Sequence, residues 1–503
     1  MSSQPAIILG LVIYALIMFC VSYYWMRRVK KPSDYLLAGR GLPYWVLIGT
    51  ITATGVGTGV VVGASGLAYQ HGWAGSAYPI GLGLGSLLTG LFFAKMRRYQ
   101  FMTLGEEIAC YCGKKRIVVE FSYISLFLSQ LGWLTVQIMG GGAVFSVVTG
   151  LDLNLCIILA GFITALISIP GGLKTVVYAD FLQAIILLLG FGILAYGSMS
   201  DVGGLGGLKN TVPSEYFSFM GTGSYGSWEV YSLILVLVLS IIADPGRRLA
   251  MYSAYSEAGA KWSMVIGGTI VMLFSVIVGI TGMYTFHLNP NIANPDQALP
   301  WLVMNVLPPW LAAVVVVAVA SSVFSSANTN AATAGTFYIR HIYPLFGKGY
   351  PKNTMVSVRR ALTGAFLLCT VLALYTGNIV QFIVRFLPVT MSGLAVIILL
   401  GRFWNRSTWQ GAIAALIATP IVALSVMFIP SLSEFWGNPT VPATVVGLLV
   451  HITVSKFTPS PRPEDSFEII AEKMKTERNS IEGESLKGEA DDFIPSKSET
   501  SVL

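Results

Sequence analysis

Apolar runs of about 20 residues recur from one end of this chain to the other, and that recurrence leaves few folds open to it. At 1.5 Å per residue, a helix of ~20 residues spans the ~30 Å hydrocarbon core of a bilayer and satisfies its own backbone there. The runs fall near 6–26, 43–71, 76–96, 118–150, 153–170, 174–199, 228–250, 262–286, 308–340, 356–376, 379–401, 407–429 and 440–456. They predict an all-α polytopic membrane protein with about 13 transmembrane helices. Composition agrees: 54% of residues are hydrophobic, only 11% are charged, and the mean hydropathy is +0.70, far from a soluble domain.

Basic residues punctuate every second gap. Arg27, Arg28, Lys30, Lys31 and Arg40 follow the first run, and Lys95, Arg97, Arg98, Lys114, Lys115 and Arg116 follow the third. Next come Lys174, then Arg247, Arg248 and Lys261, then Arg340, Lys348, Lys352, Arg359 and Arg360, and last Arg402 and Arg406. The alternate gaps hold few, with Lys209 the exception. The positive-inside rule therefore predicts an external amino terminus and a cytoplasmic carboxyl terminus in a multi-pass protein of the plasma membrane. The first run has no Lys or Arg on its amino side, so it is expected to stay as a span rather than be cleaved.

The net charge of +7 thus reports topology. No nucleic-acid motif accompanies it, and no nucleic-acid partner is expected. Nor is an enzyme: HExxH, GxSxG and phosphate-binding loops are missing from the sequence. His71, His287 and His451 stand near span ends, His341 falls on a cytoplasmic stretch, and the four make no metal cluster. Cys20, Cys156 and Cys369 lie in spans, and Cys110 and Cys112 in a cytoplasmic loop; all five read as free thiols. Residues 457–503 are polar and acidic, which predicts a mostly disordered cytoplasmic tail with a short helix around 465–478, and a place for a partner.

Three segments carry polar groups at membrane depth. In "GTITATGVGTGVVVGASG", 49–66, Gly55, Gly57 and Gly59 fall mid-span among Thr52, Thr54 and Thr58. Each glycine weakens a helix by ~1 kcal/mol relative to alanine. The cluster predicts an unwound stretch whose freed carbonyls take a cation, or else a close helix–helix contact. In "VAVASSVFSSANTNAATAGTFYI", 317–339, Ser322, Ser325 and Ser326 share one helical face, continued by Thr329, Thr333 and Thr336. Such hydroxyls form either an oxygen cage suited to a hard monovalent cation or a polar seam between helices. In "PGGLKTVVYADFLQAIILLLG", 170–190, Asp180 lies ~9 Å inside Lys174 and reads as the one acidic residue well within a span. It faces a wet pathway, or it pairs with Lys174 or a neighbouring helix.

These segments resemble the sodium:solute symporter family. The likeness rests on "GGLKTVVYADFLQ", on "DYLLAGRGLPYW" before the second run, on "FSSANTNAATAGTFYIRHIY" and on "GRFWNRST", in the family's order over residues ~35–410. The resemblance implies a LeuT-like 5+5 inverted-repeat core. Residues 1–42 would be an extra helix and loop, 43–199 the first repeat, 200–227 an extracellular loop, 228–402 the second repeat, and 403–456 two further helices. It implies a sodium-coupled secondary symporter that imports a small organic solute, with a carboxylate-bearing one favoured. The alternatives are a proton-coupled or ion-independent carrier, and a membrane sensor module. Carried onto this sequence, a co-transported sodium ion would meet the carbonyls of Ala53, Val56 and Ser322 and the hydroxyls of Ser325 and Ser326, with Asp180 on its inner exit path. Thr54, Gly55, Tyr78, Gln137 and Arg385 would meet the solute.

Arg385 has its own argument. It stands about 17 residues, ~25 Å, before Arg402 on the same run, toward the outer half, and its fork suits a carboxylate; it also suits a snorkelling anchor. The sequence departs from the family at Gly55, where some members have Asp or Asn, at Gly57, where proline carriers have a hydroxyl, and at His341, where many have Asp. In "ADPGRRLAMYSAY", 243–255, the arginines come earlier than the family's Gln-Arg run.

Overall fold

The computed structural model describes residues 4–26, 40–168, 173–221, 225–345 and 354–485. Arg27, Arg28, Lys30, Lys31, Lys348, Lys352 and the tail beyond 485 lie outside the described residues, as do the side chains of Lys174 and Arg340. All thirteen expected segments are helical. In order they are α1 (Gln4–Met26), α2 (Tyr44–Gly55) with its continuation α3 (Ser65–His71), α4 (Ala77–Phe93), then a short α5 (Leu104–Tyr111) before the long α6 (Arg116–Thr149). Next come α7 (Leu153–Ser168), α8 (Leu173–Asp201), the short α9 (Gly204–Thr211), the bent pair α10 (Ser227–Ile242) and α11 (Pro245–Tyr252), and α12 (Glu257–Leu288). The rest are α13 (Ala298–Val306), α14 (Pro309–Phe337), α15 (Thr354–Tyr375), α16 (Ile379–Phe403), α17 (Trp409–Phe428), α18 (Pro430–Trp436), α19 (Thr440–Phe457) and α20 (Phe467–Ser485).

Nine helices among the described residues are long and apolar enough to cross a membrane, or ten if the bent pair α10–α11 is one span. The first expected span, α1, is not among them, and part of the remaining difference from thirteen has physical causes. A break cuts α2 to 12 residues, α7 has only 16, and Gly59–Tyr99 runs on as one long apolar helical stretch where two spans were expected. Large apolar side chains cover the outside: Phe162, Leu189, Leu273 and Leu367 are each more than 60% exposed. In water such a belt would be an aggregation hazard; in lipid it is solvated.

Local chemistry sets the helix ends. Thr103, Ser256, Asn378 and Thr408 each accept a backbone N–H of the first turn that follows, which satisfies donors the helix leaves orphaned. At the second break, Asp244 accepts the Gly246 N–H at 2.9 Å and Pro245 occupies the first helical position, where its missing N–H costs nothing. The chain bends there by 44°. Inside, α14 is the axis of the core: its buried face meets α1, where Tyr14 stacks on Phe324 with ring centroids 6.2 Å apart, and it also packs on α6, α7 and α8.

The chain after the last membrane helix is more ordered than a solvated tail. Helix α20 extends past the expected 465–478 and docks on α5, burying Ile470, Ala471 and Met474. Phe467 stacks on Tyr111 at 4.7 Å, and Cys110 Sγ lies 3.6 Å from Met474 Sδ.

Candidate functional site

The glycine-rich run does unwind. Helix α2 stops at Gly55, and Val56 leaves helical geometry at φ −84°, ψ 37°, its N–H still on Thr52 O. The chain restarts with the N–H groups of Val60 and Val61 both on Gly57 O, at 2.9 and 3.0 Å, and then a π-helical turn over Gly59–Ala64. Among the described residues, the carbonyls of Ala53 and Val56 accept no backbone hydrogen bond. In hydrocarbon such a gap persists only beside protein or a ligand that supplies partners.

Helix α14 supplies the facing wall. Ser322, Ser325 and Ser326 are all buried, and a β-carbon on Gly57 would fall 2.5 Å from Ser326 Oγ. Glycine at 57 is therefore what lets the unwound stretch approach the serine stripe. Ser325 Oγ donates to Asp180 Oδ1 at 2.5 Å. The hydroxyls of Ser321, Ser322 and Ser326 and the other carboxylate oxygen of Asp180 are buried with no hydrogen-bond partner. Native interiors seldom leave several such atoms unpaired in one place. Uncharged oxygens with one carboxylate nearby suit a hard monovalent cation; there is no soft ligand for a transition metal. Among the described residues, no group of His, Cys, Asp and Glu is poised to hold a metal ion.

Thr329 Oγ1 is buried and unpaired too, but the end of the stripe behaves differently. Thr333 and Thr336 donate to carbonyls of their own helix, Thr329 O at 2.8 Å and Ala332 O at 2.9 Å. Asn328 Oδ1 accepts from Ser168 Oγ at 2.6 Å and so ties α14 to α7. A seam contact lies at Asn328; the unpaired serine oxygens lie up to two turns earlier and that of Thr329 just after.

The expectation that Asp180 is the one acidic residue deep in a span needs correcting. Asp244, at the break between α10 and α11, is buried as well. Beyond its cap to Gly246, its Oδ1 receives Gln130 Nε2 at 3.5 Å, and its Oδ2 lies 4.0 Å from Arg247 Nε. Arg247 in turn donates from Nη1 to Ile51 O at 2.7 Å, in the last turn before the first break. One side chain thus bridges the two broken helices. Reading "DPGRR" as a cap, an N1 proline and a new helix start, rather than as the cytoplasmic end of a span, would have found this bend. The neighbouring Arg248 is fully buried against Glu107 at 3.3 Å and lies 3.9 Å over the Phe93 ring. Tyr252 and Tyr111 also donate to Glu107.

Of the expected solute residues, three gather at the first break. Thr54 is the half-buried residue at the end of α2, its hydroxyl on Thr50 O at 2.7 Å. Gly55 lies against Arg247 and Val271. Tyr78 is fully buried, its hydroxyl against Gly59 and without a hydrogen-bond partner. Gln137 is buried on α6, with Nε2 on Trp133 O at 3.3 Å and Oε1 unpaired; Gly140, one turn on, packs against Thr58. Arg385 is exposed, on a stripe with exposed Gln381, while Phe382, Ile383 and Leu387 of the same helix are buried.

Residues 35–419 match the sodium:solute symporter family. The chain is 25% identical over 472 residues to the sodium/pantothenate symporter of Escherichia coli strain K12, covering 90% of this chain and 97% of that protein. It is 24% identical over 479 residues to the sodium/glucose cotransporter of Vibrio parahaemolyticus, covering 86% of each. Its fold is similar to that of a Na+-coupled sialic acid symporter solved in a substrate-bound outward-open state, with a TM-score of 0.76, 17% identity, and coverage of 91% of this chain and 98% of that one.

Proposed function

This chain belongs to the sodium:solute symporter family and is a multi-pass, sodium-coupled transporter of a small solute with a LeuT-like fold, not an enzyme; on that premise we propose how its residues divide the work. The carbonyls of Ala53, Val56 and Ser322 and the hydroxyls of Ser325 and Ser326 hold the co-transported sodium. The single observation that carries this reading is the Ser326 hydroxyl, buried and unpaired on α14 and packed against Gly57 in the α2 break, where carbonyls are freed. A cation there draws an unwound helix of one repeat against a helix of the other, so occupancy and conformation are coupled. Asp180, bound through one oxygen to Ser325 and unpaired at the other, receives the ion as it leaves toward the cytoplasm.

The moving parts in this reading are the repeats 43–199 and 228–402, each opening with a broken helix, flanked by 1–42, the external 200–227, and 403–456. The solute sits between the breaks, with Thr54, Gly55, Tyr78 and Gln137 around it; Arg385, exposed on α16, acts as a filter toward the outer side. Import across the plasma membrane, with the amino terminus outside and residues 457–503 in the cytoplasm, follows from the alternating basic loops. The polar, acidic tail serves a cytoplasmic partner. Similar proteins carry pantothenate and glucose, one an acid and one neutral, so neither is transferred here as the solute.

The test is counterflow into proteoliposomes with a panel of amino acids, carboxylates, vitamins and sugars, run with and without sodium. The double variant Ser325→Ala/Ser326→Ala is expected to reach the membrane in normal amount and to need far more sodium. An unchanged sodium dependence would remove the assignment.

A further inference from the structure

Arg247 has donors left over. Its guanidinium carries five N–H groups. Nη1 is taken by Ile51 O. Nε is buried without a hydrogen-bond partner, because Asp244 Oδ2, its nearest acid, is at 4.0 Å and beyond hydrogen-bonding reach. Nη2 points to Gly55, where a β-carbon would lie only 3.0 Å from it. Nε and Nη2 share one edge of the planar group, the edge that grips a carboxylate at two points. The free edge lies beside the backbone of Gly55 at the first break, with the Val271 side chain packed against the same glycine.

We propose that the Nε–Nη2 edge of Arg247 anchors the solute's carboxylate, and that the solute is a small monocarboxylate. The proposal rests on the reading that the solute sits between the two breaks. Groups for the rest of such a molecule are at hand: Gln130 Oε1 and Thr329 Oγ1 are buried and unpaired, and Thr329 and Thr333 flank Gly246 in the same turn of α11. Asp244 lies 4.0 Å from Arg247 Nε, beyond hydrogen-bonding reach, so a carboxylate on the Nε–Nη2 edge would give the guanidinium the direct charge-assisted contact it otherwise lacks. A sugar could offer the Arg247 edge neutral acceptors only, without the counter-charge and the two-point grip of a carboxylate.

The experiment compares isosteric acid and amide pairs on the purified full-length protein by thermal shift in saturating sodium chloride: propionate with propionamide, lactate with lactamide, nicotinate with nicotinamide, proline with prolinamide. Hits are followed by uptake into proteoliposomes, alongside neutral sugars. At least one acid is expected to bind roughly 10–100-fold more tightly than its amide, the discrimination of a charge-assisted contact. In Arg247→Gln that ratio should fall to near unity. Arg247→Lys, which keeps the charge and loses the fork, should lie between, and it stands in if the Gln variant does not fold. A sugar or amide as the best ligand, or an acid-to-amide ratio unchanged in both variants, overturns the proposal. So does loss of the ratio in Arg385→Gln but not in the Arg247 variants. Stabilisation by sodium alone is read separately: its absence in the wild type strikes the sodium site, while the acid-to-amide ratio still decides on Arg247.

Discussion

Replacing Ser326 by alanine should change the protein in opposite directions with and without sodium. The side chain is 2% exposed and its hydroxyl has no hydrogen-bond partner. A buried hydroxyl left unpaired costs ~1–3 kcal/mol. The alanine variant removes that atom and almost nothing else, so without sodium it should be as stable as the wild type or more stable, by about 1 kcal/mol. With sodium the sign reverses. One oxygen of the proposed five is gone, and contacts of a charge with a neutral dipole are worth ~1.5–3 kcal/mol in a dry site. That corresponds to a roughly 10–100-fold higher sodium requirement. The assay is a thermal melt of the detergent-solubilised protein across a sodium titration, with potassium holding ionic strength constant. Stabilisation by a ligand grows as RT ln(1 + [L]/Kd), so the two curves should start together or inverted and cross as sodium rises. Ser325→Ala is the internal contrast: that hydroxyl is already spent on Asp180, so its loss should destabilise the protein even without sodium. Equal destabilisation of Ser326→Ala at every sodium concentration, with an unshifted midpoint, would refute the reasoning and make Ser326 a packing residue.

Asp296 and Glu107 give two further tests. Burial pushes the Asp296 carboxyl up to about 7, partly offset by the Ile379 N–H it accepts at 2.9 Å. Between the ordinary carboxylate range and pH 7 the native state therefore holds a proton that the unfolded chain has lost, and stability falls as pH rises through that window. Asp296→Asn should flatten the melting temperature between about pH 5 and 7.5; a profile as steep as the wild type's would assign the slope elsewhere. Glu107→Gln strands the fully buried Arg248 and should cost about 3–5 kcal/mol, lowering yield without moving the sodium midpoint. Adding Arg248→Met to it should restore most of that loss, and no recovery in the double variant would show that the pair is not the cause.

How much of this was legible depended on which physical constraint the residues answered. Lipid imposes length on a crossing, so hydropathy placed the helical segments along the chain but did not fix how many of them cross. Clustered glycines announced the first break, and the i, i+3, i+4 spacing placed three serines on one face. Neither showed which hydroxyls were already spent: Thr333 and Thr336 satisfy themselves on their own helix, and only coordinates separate them from Ser326. Arg385 shows the limit of counting along a helix, which gives depth and not direction; its stripe is exposed. Arg247 shows the reverse. Placed by counting near a cytoplasmic end, it is carried inward by the 44° bend at Asp244–Pro245. The docked tail helix did leave a signal. Phe467, Ile470, Ala471 and Met474 fall at i, i+3, i+4 and i+7, one apolar stripe in a segment whose overall composition is polar.

That last helix has a consequence in time. A chain is made from its amino end, and 364 residues separate Cys110 from the Met474 that covers it. Tyr111 and its neighbours on α5 therefore wait, uncapped, while the remaining membrane helices are synthesised and assembled. Only when Phe467 has left the ribosome can its ring settle on Tyr111 and this end of the bundle close. The tail helix thus acts as a completion mark: a molecule cut short before it carries the described membrane helices and still presents an unfinished surface at α5.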